Sequence, residues 1–184
     1  MCRWLAYSGP SIFLDELLIR PQHSLLDQSR HAREATFEVN ADGFGIGWYG
    51  DRPNPGVYHD TQPAWNDWNL ASIAAHIKSP LFLGHIRAAV GSEVAQCNCH
   101  PFRWGRWLFQ HNGAITDFDS IKHLLDMQIH PDLYGRKVGQ TDSETMFLLA
   151  LTFGLEKDPF GGICRMIESV QQVHSREGGH GELH

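Results

Sequence analysis

Apolar and polar positions change period several times along the chain. "CRWLAYS" at the N-terminus is a short, mostly apolar run that reads as a buried or half-buried strand. "SIFLDELLIRP" follows with apolar residues at helical spacing, Ser11 as a cap and Pro21 as a stop, and predicts a helix. "NADGFGIGWYG" sets four glycines among aromatic and β-branched residues. Glycine costs a strand its packing, so this pattern predicts a loop entering a strand where backbones approach closely; a Gly-rich hairpin is the plainer reading. Its G-x-G does not open a helix, which argues against a dinucleotide loop.

"RPNPGVYHDTQPAWND" reads as a Pro-rich connection, and "DWNLASIAAHI" then puts Leu70, Ile73, Ala74 and Ile77 on one helical face. "PLFLGHIRAAVG" is a strand on which Leu81, Leu83, His85 and Arg87 share a face by the two-residue period. "GRWLFQHNGAI" is the next strand, ending in the turn-type sequence "HNG". Two segments open with capping boxes: "TDFDSIKHLLDM", Thr116 to Asp119, with Phe118, Ile121, Leu124 and Leu125 inward, and "TDSETMFLLALTFG", Thr141 to Glu144, closed by Gly154. "GGICRMIESVQQVH" is a last amphipathic helix. Strands in runs with helices beside them predict an α+β layered domain.

Composition narrows the function classes. The 184 residues suffice for one sizeable domain, and 42% hydrophobic with 20% charged residues is ordinary for a soluble globular protein. A net charge of −6 without a basic stripe argues against nucleic-acid binding. No apolar run approaches the ~20 residues of a membrane span, and "MCRWLAY" lacks the apolar core of a signal peptide. Four cysteines, Cys2, Cys97, Cys99 and Cys164, are too few for a disulfide framework in a chain this long. A cytoplasmic address is the expectation. The tightest metal-like set is Cys97, Cys99 and His100 in "CNCH", whose spacing fits a zinc site poorly, so no metal is expected.

Four features have both a structural and a chemical reading. Cys2 is a small side chain at the start of a strand. Removal of Met1 would also make it an N-terminal residue carrying a thiol and an α-amine, two groups that ordinarily titrate at about pH 8. An N-terminal amine serving as base for its own side-chain nucleophile is an established arrangement. Arg87 could pair with a structural carboxylate, "HNG" could be only a turn, and Asp142 could be only a first-turn acid favoured by the helix dipole.

In this order the chain resembles the class II glutamine amidotransferases of the N-terminal nucleophile hydrolase superfamily, and among them the free-standing branch that includes γ-glutamyl amide hydrolases. The matching stretches are "MCRWLAY", "NADGFGIGWY", "GHIRAA", "NCHPF", "HNGAI" and "TDSE", from the N-terminus to about residue 150. The resemblance implies that Cys2 attacks the side-chain amide carbonyl of glutamine and that its α-amine relays the proton to the leaving ammonia. It implies further that Asn112 and Gly113 form the oxyanion hole, that Arg87 clamps the substrate α-carboxylate, and that Asp142 receives the α-ammonium. His100 matches a position close to the substrate.

Those roles suit the residue types. A tetrahedral oxyanion needs preorganised N–H donors, and a guanidinium holds a carboxylate through two parallel bonds that lysine cannot make. The implied fold is a four-layer αββα sandwich, here C-terminally incomplete because the family chain runs on for several more strands. Residues 1–175 would form the amidotransferase domain and 176–184 a Gly/His-rich tail outside it. Where relatives carry a Thr-containing loop after "GHIRAA", this chain has Val90-Gly91-Ser92. The expected activity is hydrolysis of glutamine or of a γ-glutamyl amide through a γ-glutamyl thioester, without a cofactor. A separate ammonia-accepting or peptidase protein is the expected partner. The rival readings are another N-terminal-cysteine acyl-amide hydrolase, which has no use for a paired Arg87 and Asp142, and a non-catalytic glutamine-binding domain.

Overall fold

The computed structural model describes residues 2–31, 42–88 and 93–176. Val90-Gly91-Ser92 and the tail beyond Arg176 lie outside the described residues. The chain forms two compact units, residues 1–112 and 113–184.

The first unit is built on strands β1 (Arg3–Phe13), β2 (Phe44–Trp48), β3 (Gly56–Asp60) and β4 (Lys78–Ile86), paired antiparallel in the order β1-β4-β2-β3. The alternation in "FGIGW" decides what each face of the sheet can hold. Phe44 and Ile46 point to one side, where Phe82 and Ile86 of β4 join them. Helices α1 (Asp15–Leu18), α2 (Leu25–His31) and α3 (Trp68–His76) close over that side with Leu18, Leu25, Leu70 and Ala74. Burying each large side chain contributes about 1.5–3 kcal/mol, so this layer is the unit's main store of stability.

Gly45 and Gly47 point to the opposite side, against the hairpin of β5 (Phe102–Trp104) and β6 (Trp107–Phe109). A Cβ on Gly45 would overlap the carbonyl oxygen of His100, and one on Gly47 would lie 2.8 Å from Pro101 and Leu108. The close backbone approach expected from the glycine pattern is therefore real.

Three expectations are corrected here. The segment from Ser11 is not a helix start. β1 runs on to Phe13, pairing Ile12 with Ser79 and Phe13 with Lys78 after a register shift that accommodates Pro10, and only the single turn of α1 is helical. Cross-strand pairing outweighs local propensity, and Pro10 is tolerated because β1 is an edge strand. The Pro-rich connection contains β3, since Val57 and Tyr58 find partners in Gly47 and Ile46. Finally, "GRWLFQ" gives only the short β6, and "HNG" after it is not a hairpin turn.

The second unit is helical: α4 (Phe118–Asp126), α5 (Pro131–Tyr134), α6 (Asp142–Thr152) and α7 (Pro159–Arg176). Helix α6 is its centre, buried from Ser143 to Leu151. Thr141 Oγ1 accepts from the Glu144 backbone nitrogen at 3.2 Å. The Glu144 carboxylate does not return to Thr141 but accepts from Val138 N and Gly139 N at 3.0 and 2.7 Å, so only half of this capping box forms. At the other end Leu155 N donates to the Ala150 carbonyl and Gly154 N to that of Leu151, with Gly154 at φ +93°. That paired pattern needs a left-handed residue, which glycine adopts without strain.

The Thr116 box is not the start of α4. Asp117, at φ 52°, is the N-cap and makes no side-chain cap bond. A half-buried ion pair links the loop before α6 to α4, with Lys137 Nζ 2.5 Å from Asp126 Oδ1. Among the described residues no helix is long and apolar enough to cross a membrane.

Candidate functional site

The antiparallel register brings the start of β1 to the end of β4. Arg3 pairs with Ile86, and one step further Cys2 meets the segment of Arg87 and Ala88. The Cys2 Sγ accepts from the Ala88 backbone nitrogen at 3.2 Å and lies 3.6 Å from its carbonyl oxygen. The thiol is half-buried and meets backbone atoms just past the end of β4.

Arg87 continues the face of His85 and is 4% exposed. Its backbone nitrogen donates to the Gly43 carbonyl at 2.9 Å, which ties the end of β4 to the entry of β2. Its Nη1 donates to the Glu93 carbonyl at 3.1 Å, and Asn98 Nδ2 donates to the same oxygen at 2.9 Å. Buried Asn98, which shares that acceptor with Arg87, is a residue that pattern reasoning missed; its trace in the sequence is an amide between the two cysteines of "CNCH".

His100 lies against His85 with ring centroids 4.4 Å apart, and against Phe102 at 4.6 Å. Burial pushes the His85 imidazole down to about 4, and the Arg87 and His111 charges push the same way. Burial also holds His100 well below its ordinary value, with His85, His111 and Arg87 adding to the effect. Both rings are therefore neutral at physiological pH. Cys99, which precedes His100 in "CNCH" and is buried, has its thiol pushed up to about 11 by burial. It stays protonated and unreactive, unlike a metal ligand or nucleophile. Among the described residues no group of three or more His, Cys, Asp and Glu side chains could hold a metal ion.

The approach to "HNG" is tied to the first strand. Gln110 Nε2 donates to the Leu5 carbonyl at 3.2 Å, two residues before Asn112. Asn112 and Gly113 are themselves exposed. Cys2 and Arg87 thus lie at one end of one sheet, His100 packs on that sheet through His85, and Asn112 follows β6 in the chain.

Asp142 opens α6 in the second unit. Its Oδ1 accepts from Ser143 N at 2.6 Å and from Ser143 Oγ at 3.1 Å, and its Oδ2 accepts from Ile115 N at 2.8 Å. A carboxylate in the first turn of a helix interacts favourably with the helix dipole. The bond to Ile115, twenty-seven residues away, had no signal in the sequence pattern.

The profile of the class-II glutamine amidotransferases matches residues 23–174. The chain is 37% identical over 160 residues to the Saccharomyces cerevisiae "Probable glutamine amidotransferase DUG3", covering 82% of this chain and 45% of the yeast protein. It is 31% identical over 158 residues to the "Gamma-glutamyl-hercynylcysteine sulfoxide hydrolase" of Mycolicibacterium smegmatis, covering 85% of this chain and 65% of that protein. Among solved structures, a glutamine aminotransferase class-II domain protein from Silicibacter pomeroyi superposes with a TM-score of 0.72 at 37% identity, covering 96% of this chain and 66% of that one. The chain spans about half to two thirds of the length of these relatives.

Proposed function

The chain belongs to the class-II glutamine amidotransferases, and from that premise we propose that it hydrolyses the side-chain amide of glutamine, or of a γ-glutamyl amide, through a γ-glutamyl thioester on Cys2. The observation that carries this reading is the Cys2 thiol fastened to the backbone nitrogen of Ala88, the residue that follows buried Arg87. Cys2 lies ahead of the span matched by the family profile, so its support is this contact and the "MCRWLAY" stretch.

With Met1 removed, the Cys2 thiol passes its proton to its own α-amine and attacks the amide carbon. The tetrahedral oxyanion takes hydrogen bonds from Asn112 and Gly113. Collapse breaks the C–N bond, and the α-amine hands the proton to departing ammonia or amine. Water then adds to the thioester, its proton returns through the amine to the sulfur, and glutamate leaves. Losing one oxyanion donor typically costs ~10²–10³ in rate, which sets the scale for Asn112 and Gly113.

Arg87 would clamp the α-carboxylate and Asp142 receive the α-ammonium, while His100 would shape the site from behind His85. The γ-glutamyl substrate class is supported by the name of the mycobacterial relative. A separate ammonia-accepting or peptidase protein would take the product onward. The same reading assigns the chain to the four-layer αββα fold. Its support is the α1–α3 layer on one face of the sheet and the β5–β6 hairpin on the other.

The experiment is intact-mass analysis with a glutamine-analogue diazoketone. Mature protein is expected to lack Met1 and to carry one label on Cys2, and Cys2→Ala and Cys2→Ser are expected to abolish turnover. Full activity with Met1 retained would overturn the mechanism.

A further inference from the structure

We propose that Asp142 is a positioning residue for the Asn112–Gly113 oxyanion loop, acting through the backbone N–H of Ile115. This rests on the amidase reading above and adds to it a second task for the same carboxylate.

The chain from Gln110 to Asp117 contains no helix and no strand, only a single bridge position at Ile115. Asn112, Gly113 and Ala114 are exposed, whereas the side chain of Ile115 is 5% exposed. A buried residue's N–H requires an acceptor, because no water is there to replace one. The acceptor is Asp142 Oδ2 at 2.8 Å, a charge-assisted bond of the stronger kind. The other oxygen is fastened to Ser143 N and Ser143 Oγ, so the carboxylate cannot swing away from α6. Helix α6 is in turn the buried centre of its unit. Rigidity therefore passes from α6 through Asp142 to Ile115, two residues after Gly113.

Two properties of a carboxylate make the double role consistent. It has about four acceptor positions, and three are occupied here, which leaves one for a substrate ammonium. An amide cannot substitute. With Asp142→Asn one oxygen becomes an NH₂ group, which must face either Ile115 N–H or Ser143 N–H, donor against donor. An oxyanion hole works only if its donors are in place before charge develops, and a misplacement of about 1 Å can cost ~10²-fold.

The test separates the two tasks with a substrate that has no ammonium. 4-Carbamoylbutanoate is glutamine without its α-amine, so Asp142 has nothing to bind on it. Saturation kinetics on glutamine and on 4-carbamoylbutanoate are measured for the wild-type chain and Asp142→Asn. If Asp142 also positions the loop, the variant loses about tenfold or more in kcat on both amides, and only glutamine shows an additional rise in KM. Amide hydrogen exchange supplies the second readout. Ile115 is expected to be protected in the wild type and to lose protection in the variant, while the α6 amides keep theirs. Unchanged kcat on either amide, or an unprotected Ile115 amide in the wild type, would overturn the proposal. A wild-type chain that turns over neither amide would instead remove the amidase reading itself, and the proposal with it.

Discussion

The imidazoles of His85 and His100 stack with centroids 4.4 Å apart, 1% and 6% exposed, and no described residue completes a hydrogen bond to any of their four ring nitrogens. The backbone of His111 lies near enough to oppose part of the His85 shift without completing such a bond. The pair fills the space between β4 and the hairpin as two neutral rings. Its folded state resists protonation, while the unfolded chain takes protons at the ordinary histidine value. The unfolded state therefore binds more protons as pH falls from about 6.5 to about 4, and stability drains across that window. His85 by itself contributes about 3 kcal/mol of this, with His100 acting in the same direction. Urea unfolding at pH 7.5 and 4.5 should show the loss, and a His85→Phe/His100→Phe variant should show less of it. Equal losses in both proteins would count against the assignment.

Arg87→Lys should raise KM for glutamine strongly. A point charge cannot reproduce the fork, and a charge-assisted bond is worth about 1.5–3 kcal/mol, roughly ten- to more than hundredfold in affinity. The substitution also removes the donor to the Glu93 carbonyl. N-acetyl-glutamine and a glutamine ester test the same head-group contacts from the ligand's side. Equal kcat/KM for capped and free substrates would favour the acyl-amide hydrolase reading.

Gly45→Ala should destabilise the first unit by about 1–3 kcal/mol, the usual cost of overpacking. The obstructing atom is the backbone oxygen of His100, which cannot rotate away as a side chain could. Gly50→Ala is the control, because nothing lies within 4 Å of a Cβ there. Thermal and urea midpoints compare the two, and similar values for both would show that the hairpin can yield.

Lys137→Met should cost about 1–3 kcal/mol, less than the loss on stranding one member of a fully buried pair because this pair is part-buried. Lys137 and Asp126 are 8% and 16% exposed at the side chain, and among the described residues the further partner of Asp126 is the Thr145 hydroxyl, at 3.3 Å. Adding Asp126→Leu should recover most of the loss by removing the uncompensated charge. A double variant as unstable as the single would show that the pair is not the cause.

What the sequence determined by itself was whatever depends on period and on neighbours close in the chain. The Leu70–Ala74 face of α3, the shared face of His85 and Arg87, the close backbone approach at the glycines of β2 and the Thr141 and Gly154 ends of α6 were legible because they follow from short repeats and from residues close in the chain. The family was legible too, from six short stretches in order. Tertiary structure decided the rest. Local spacing made Ser11–Phe13 helical, and pairing with Ser79 and Lys78 made it strand. Val57 and Tyr58 became β3 because β2 offered unpaired backbone groups. The candidate site residues could be proposed from the sequence, but the contacts that hold them could not. Ala88 N on Cys2, the Glu93 carbonyl on Arg87 and Ile115 N on Asp142 are all backbone atoms. Every residue carries the same peptide group, so no residue type announces which one will be brought into place. Only the fold, by burying some of those groups and aiming them at particular side chains, makes the choice.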